Sequence, residues 1–76
     1  MYTDEKAEKL CKLYSQHVRH PDGHWKGFAE AEVPRDIADD VAEAMDYHGS
    51  IVDFRAVNEA EGTVILTSQG YWAHGF

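Results

Sequence analysis

The stretch that decides the fold is residues 34–58, PRDIADDVAEAMDYHGSIVDFRAVN, because the spacing of its apolar residues changes at Gly49. Before Gly49 apolar side chains recur every three or four residues, which is the period of an amphipathic helix. After Gly49 they alternate, which is the period of a half-buried strand. The stretch therefore predicts a helix, a glycine stop and a strand in direct succession.

The predicted helix begins at Pro34, because the missing N–H of a proline costs nothing at a first helical position, and it ends before Gly49. His48 in its last turn suits the negative end of the helix dipole. Helical periodicity divides the remaining side chains into two opposite sectors. The apolar sector contains Ile37, Val41, Ala44 and Met45, and the acidic sector contains Asp36, Asp39, Asp40, Glu43 and Asp46.

The chain after Gly49 predicts an antiparallel meander. Residues 50–58 form its first strand, 58–62 a turn, 63–68 a β-branched second strand and 71–76 a third strand with Trp72 and Phe76 in the core. Alternation in the first strand places Val52, Phe54 and Ala56 on one face and Ile51, Asp53, Arg55 and Val57 on the other.

The N-terminal segment predicts a second amphipathic helix, capped by Thr3, starting at Asp4 and ending near Arg19 or His20 before the turn at Pro21. Its buried arc contains Ala7, Leu10, Cys11, Leu13, Tyr14, His17 and Val18. Within that arc Cys11 is interpreted as a small buried hydrophobe rather than a reactive thiol.

Residues 24–33 are ambiguous between strand and loop. Alternation places Trp25, Gly27, Ala29, Ala31 and Val33 inward, but alanine and glutamate are poor strand formers. The whole pattern predicts a single two-layer α+β domain over residues 1–76. In it, two helices pack on one face of a three-stranded antiparallel sheet, or a four-stranded one if residues 25–32 add an edge strand.

Composition excludes several classes of protein. Seven basic against fourteen acidic residues give a net charge of -7, which argues against direct binding to nucleic acid. No apolar run approaches the ~20 residues that span a bilayer, and the N-terminal residues do not resemble a signal peptide. Because Cys11 is the single cysteine, we expect no internal disulfide and a reducing, cytoplasmic location. We also expect no membrane association and no cofactor.

The charge is unevenly distributed, since residues 1–27 have a net charge of +1 and residues 28–76 a net charge of -8. Acids three and four apart on a helix form a row, and such a row is complementary to a basic groove. This predicts a binding surface for a basic protein partner, comprising Glu32, Asp36, Asp39, Asp40, Glu43 and Asp46 with Trp25 and Phe28 beside them. The specific form of this hypothesis is an inhibitor or regulator that mimics DNA, as small phage proteins directed against host defence do. The alternative is that the acids only solvate the helix.

Two alternatives from other classes remain open. His20, Asp22 and His24 flank a turn and are candidate metal ligands, although no established zinc spacing accompanies them. Strand 71–76 is a candidate edge for a homodimer, with a monomer as the default. No nucleophile with an oriented base and no phosphate-binding glycine motif is present, so no catalytic residues are predicted and the chain is not expected to be an enzyme.

Overall fold

The computed structural model describes residues 3–20 and 29–68. The elements are helix α1 (Asp4–His17), strand β1 (Ala29–Pro34), a 3₁₀ turn (Arg35–Ile37), helix α2 (Ala38–Tyr47), strand β2 (Val52–Asn58) and strand β3 (Thr63–Ser68). The three strands form an antiparallel sheet in the order β1-β3-β2, and both helices pack on one face of it. The predicted two-layer α+β architecture is therefore confirmed.

The core lies between the sheet and the two helices. The inward residues of β1 and β3 meet the apolar face of α2 there, and α1, on the same face of the sheet, adds partly buried side chains. The buried core residues are Ala29, Ala31, Val33, Ala38, Val41, Met45, Val64 and Leu66. Removal of these side chains from water is the main stabilising contribution in a domain of this size.

Strand β1 confirms the predicted alternation over Ala29–Pro34, since Ala29, Ala31 and Val33 are fully buried and Glu32 is exposed. Small inward side chains let the helices approach the sheet here. Strand β1 pairs with β3 along the full length of both strands. It thus occupies the position beside β3 that the meander assigned to residues 71–76, a segment that, with Trp72 and Phe76, lies outside the described residues.

Helix α2 starts later than the sequence predicts. Pro34 is the last residue of β1, and the chain passes through the 3₁₀ turn before the α-helix begins at Ala38. The backbone N–H of Arg35 donates to the carbonyl of Gly62 at 3.0 Å, which ties this turn to the β2–β3 connection. Because Pro34 pairs with Thr63, its backbone is extended. The fixed φ of proline would also suit a helix, but no helix starts at this residue.

Strand β2 departs from simple alternation because its register against β3 shifts between Val52 and Phe54. The extra residue, Asp53, makes a β-bulge. Val52 therefore packs against the core, whereas Phe54 and Ala56, predicted on the same face, pair with Thr67 and Ile65 on the face away from the helices. The bulge is a backbone feature that a strict period of two does not contain.

Helix α1 begins at Asp4 with Thr3 as its N-cap, as predicted, but ends at His17 because Val18 is extended and Arg19 pairs with Glu30. Cys11 is exposed, so its predicted burial is wrong. Helical periodicity explains the error, because Cys11 lies at one end of the apolar arc whereas Leu10 lies nearer its centre and is buried. Within residues 3–20 and 29–68, neither helix combines the length and apolar character that a membrane crossing requires.

Candidate functional site

The acidic surface is positioned by the apolar face of α2. Burial of Val41, Ala44 and Met45 against the sheet turns the opposite side of the helix outward. Asp39 and Asp46 are exposed on this outward side, and Asp36 is exposed in the preceding 3₁₀ turn. Three of the five predicted carboxylates therefore lie on the outer surface of the helix layer, whereas Asp40 and Glu43 are only partly exposed.

Three of these carboxylates form ion pairs with bases from other elements. Lys6 on α1 lies 2.8 Å from Glu43, and Lys9, also on α1, lies 3.4 Å from Asp40. On the other side of α2, the Arg55 guanidinium on β2 lies 2.9 Å from Asp39. The carboxylate row predicted from the sequence is thus interrupted by cations that only the tertiary structure brings beside it.

Asp36 and Asp46 are the two members of the row on α2 and its 3₁₀ turn for which the described part of the chain supplies no cation. They lie at opposite ends of the row. The negative charge of the row that no described cation offsets therefore lies at its two ends, with Asp39 exposed between them and paired with Arg55.

Glu32 lies away from the other predicted acids. Its neighbours Ala31 and Val33 point into the core, so alternation along β1 directs Glu32 to the sheet face opposite the helices. There its Oε2 accepts a hydrogen bond from the Thr63 hydroxyl at 3.2 Å. The predicted binding set is therefore divided between two faces of the molecule. The predicted aromatic members, Trp25 and Phe28, lie outside the described residues.

Of the candidate metal ligands, His20 is described, whereas Asp22 and His24 lie outside the described residues. His20 Nε2 lies 2.7 Å from the hydroxyl of Tyr14, which is hydrogen-bonding distance. A metal bound through this nitrogen would have to displace that hydrogen bond. Among residues 3–20 and 29–68, no three histidine, cysteine or acidic side chains are grouped closely enough to hold a metal ion.

A cluster around Tyr14 was not predicted from the sequence. The Tyr14 ring contacts that of His48 with 4.2 Å between centroids, and the Tyr47 ring meets His48 edge-on at 5.3 Å. Burial raises the pKa of the Tyr14 phenol, and the Ser50 side chain beside it opposes part of that shift. Burial also lowers the pKa of His48. The sequence places these aromatic residues on separate helices, so only their tertiary packing brings them together.

The Tyr14 cluster favours neutral side chains, because both pKa shifts disfavour the charged forms of the phenol and the imidazole. A neutral phenol is a poor nucleophile, and the cluster joins the C-terminal ends of α1 and α2. Ring packing of Tyr14 on His48 holds the two helices together there, and the Tyr14–His20 hydrogen bond ties the segment after α1 back to that helix.

A cleft of about 390 Å³ lies where the N-terminal half of α1 passes α2. It is open to solvent, and Lys6, Lys9 and Asp40 line it together with Leu10. Both lysines point at acids of α2. The cleft therefore borders the acidic surface.

Comparison with known proteins finds no matching family model, no matching curated protein and no matching solved structure.

Proposed function

We propose that this chain is a small, non-catalytic protein-binding module that docks an acidic surface on a basic surface of a partner protein. The observation that carries the proposal is the outward display of Asp36, Asp39 and Asp46 on one side of α2, in a chain of net charge -7. Such a surface accelerates encounter with a basic partner and disfavours acidic ones.

Two of the three ion pairs are compatible with this role because they are exposed, whereas the Glu43 oxygen that contacts Lys6 is buried. The side chains of Lys9 and Asp40 retain 62% and 48% of their accessible surface, and that of Asp39 retains 92%. Exposed pairs of this kind stabilise a protein by roughly 0.2–1 kcal/mol. Cations of a partner could therefore replace these contacts at small free-energy cost.

The specific form of the proposal is an inhibitor or regulator that occupies a surface built for nucleic acid. Carboxylates along α2 and its 3₁₀ turn are spread over a row of roughly 15 Å at about 1.5 Å of rise per residue. A basic groove that binds successive phosphates could accept such a row. This form of the proposal predicts that duplex DNA and the chain compete for the same partner.

The test is capture of partners from lysate with the tagged protein at low and high salt. Retention of a basic protein at low salt and its release at high salt are expected, because screening weakens interactions between exposed charges. In the test variant, Asp36→Lys is combined with Asp46→Lys. Glu43 is unsuitable for reversal, because a lysine there would repel Lys6 and confuse a folding defect with a binding defect.

The matched control combines Asp4→Lys with Glu8→Lys, which changes the net charge equally but on the exposed side of α1, at residues that do not line the cleft. Loss of the partner with the α2 variant and its retention with the control would support the proposal, provided that both variants have native circular dichroism. Retention with both variants would overturn it. Displacement of the captured partner by duplex DNA would distinguish the mimic from a binder of some other basic surface.

A further inference from the structure

Within the described residues, the two outer edges of the sheet differ in how many of their backbone groups are hydrogen-bonded. On β1, the backbone N–H and carbonyl of Glu30 both bond to Arg19, at 2.9 and 2.8 Å. Pro34 at the other end of β1 has no N–H to offer. No described residue makes a backbone hydrogen bond to the outer edge of β2, which is seven residues long.

The directions of the β2 backbone groups follow from these contacts. Glu30 bonds outward to Arg19, so its pairing with Thr67 is of the type without hydrogen bonds, and the backbone groups of Thr67 point to β2. Phe54, opposite Thr67, therefore points its groups inward to β3, and so does Ala56. The N–H and carbonyl groups of Arg55 and Val57 consequently point to the open edge.

Exposed apolar side chains concentrate at this edge. Phe54 and Val57 retain 56% and 50% of their accessible surface, and Ile51, just before the strand, retains 67%. Phe54 faces away from the helices, whereas Val57 pairs with Val64 on the helix side. A partner resting on one face of the sheet would cover only one of the two side chains. A strand added beside β2 would cover both and also bond to the open backbone groups.

We infer that the outer edge of β2 accepts an extended, basic segment of a partner protein as a fourth strand. The charge around the edge supports a basic segment, because Asp53, Glu59 and Glu61 lie in or beside β2, while its one base, Arg55, pairs with Asp39. A second copy of this chain is a less favourable occupant of the edge, because two copies with a net charge of -7 each repel one another. This inference rests on the proposed function and specifies how the basic partner is engaged.

The test measures hydrogen exchange of individual amides by NMR, using the full chain and a short blocked peptide of alternating lysine and valine as the probe. Addition of the peptide should slow exchange at Arg55 and Val57 several-fold. Exchange at Phe54 and Ala56 should change little, because those amides already bond to β3. A glutamate–valine peptide should have no effect.

Two variants at one position separate backbone pairing from side-chain contact. Val57→Pro removes an outward N–H while leaving the bonds to β3 intact, and should abolish protection of Arg55 by the peptide. Val57→Thr keeps both the N–H and the β-branched shape, and should retain protection. Native circular dichroism of both variants is the control for folding.

Three results of the hydrogen-exchange measurement would overturn the inference. One is unchanged exchange at Arg55 and Val57 up to millimolar lysine–valine peptide. Another is protection without peptide that grows with protein concentration, which would show that a second copy occupies the edge. The third is protection without peptide at every protein concentration, which would show that the chain covers its own edge.

The proposed function and this inference can fail separately. A captured partner that is lost with the α2 charge reversals but kept with Val57→Pro would leave the acidic surface in place and overturn strand addition. A partner lost with Val57→Pro and kept with the charge reversals would do the opposite.

Discussion

Tyr14 and His48 show how single residues hold the helix layer together. Their rings lie 4.2 Å apart between centroids, one on α1 and the other just after α2. The His48 imidazole is partly withdrawn from water, and burial lowers its pKa below the ordinary value of 6.5. Because a charged imidazole is disfavoured in this position, protonation of His48 acts against the folded state.

The lowered pKa of His48 predicts a loss of stability in mild acid. Below about pH 6.5 the unfolded chain binds a proton at His48 more readily than the folded protein does, so the free energy of unfolding falls as the pH decreases. Urea denaturation at about pH 7.5 and about pH 5.5 measures the effect. His48→Gln, which does not titrate, should show a smaller decrease, and an equal decrease in both proteins would contradict the assignment.

Truncation of Leu66 measures how much one core side chain contributes to the free energy of unfolding. Leu66 is fully buried on the central strand β3, so Leu66→Ala leaves a cavity and should lower the free energy of unfolding by about 2–5 kcal/mol. A domain of this size typically has only ~3–5 kcal/mol in total, so much of the variant should be unfolded by circular dichroism. Val57→Ala, at a half-exposed site, is the matched control and should cost clearly less.

At the scale of elements, local chemistry determines where helices begin only when tertiary pairing does not compete. Thr3 pairs with no strand in the described structure, and its hydroxyl accepts a hydrogen bond from the Lys6 N–H at 3.1 Å. Helix α1 therefore begins where the sequence predicts. Pro34 has an equally good helix-start signal. Its pairing with Thr63 delays α2 until Ala38.

The N-cap residue Thr3 is expected to contribute measurably to the stability of the protein. Thr3→Ala removes the acceptor for the Lys6 N–H and should lower the free energy of unfolding by about 0.5–2 kcal/mol, whereas Thr3→Ser keeps the acceptor and should lower it much less. Thermal denaturation followed at the helical circular dichroism band measures both. Equal melting temperatures for Thr3→Ala and the unchanged protein would show that the cap contributes nothing.

At the scale of the whole molecule, the fold places the basic N-terminal segment against the acidic remainder. Lys6 and Lys9 of α1 pair with Glu43 and Asp40 of α2, so part of the charge asymmetry along the chain is neutralised within the helix layer. Of the acids outside these two pairs, Asp46 lies on the helix layer and Glu32 on the opposite face of the sheet.

The net charge leads to a prediction about nucleic acid. At -7, the chain should give no change in the fluorescence anisotropy of labelled duplex DNA even at low ionic strength, because the excess of acidic side chains repels the phosphates. A salt-sensitive increase in anisotropy would contradict this prediction and, with it, the proposed preference for a basic partner.

The sequence by itself determined the α+β class, the two amphipathic helices, the strands around residues 52–58 and 63–68, and the outward position of the exposed α2 acids. These features follow from local periodicity, which is present in the order of the residues. Strand order, the pairing of residues 29–34 as a strand and the bulge at Asp53 were decided by the tertiary structure. So were the ion pairs that divide the acidic row and the contact between Tyr14 and His48. The physical reason is that each of these depends on which distant segments pack together, and the spacing of residues within one segment contains no information about its partner.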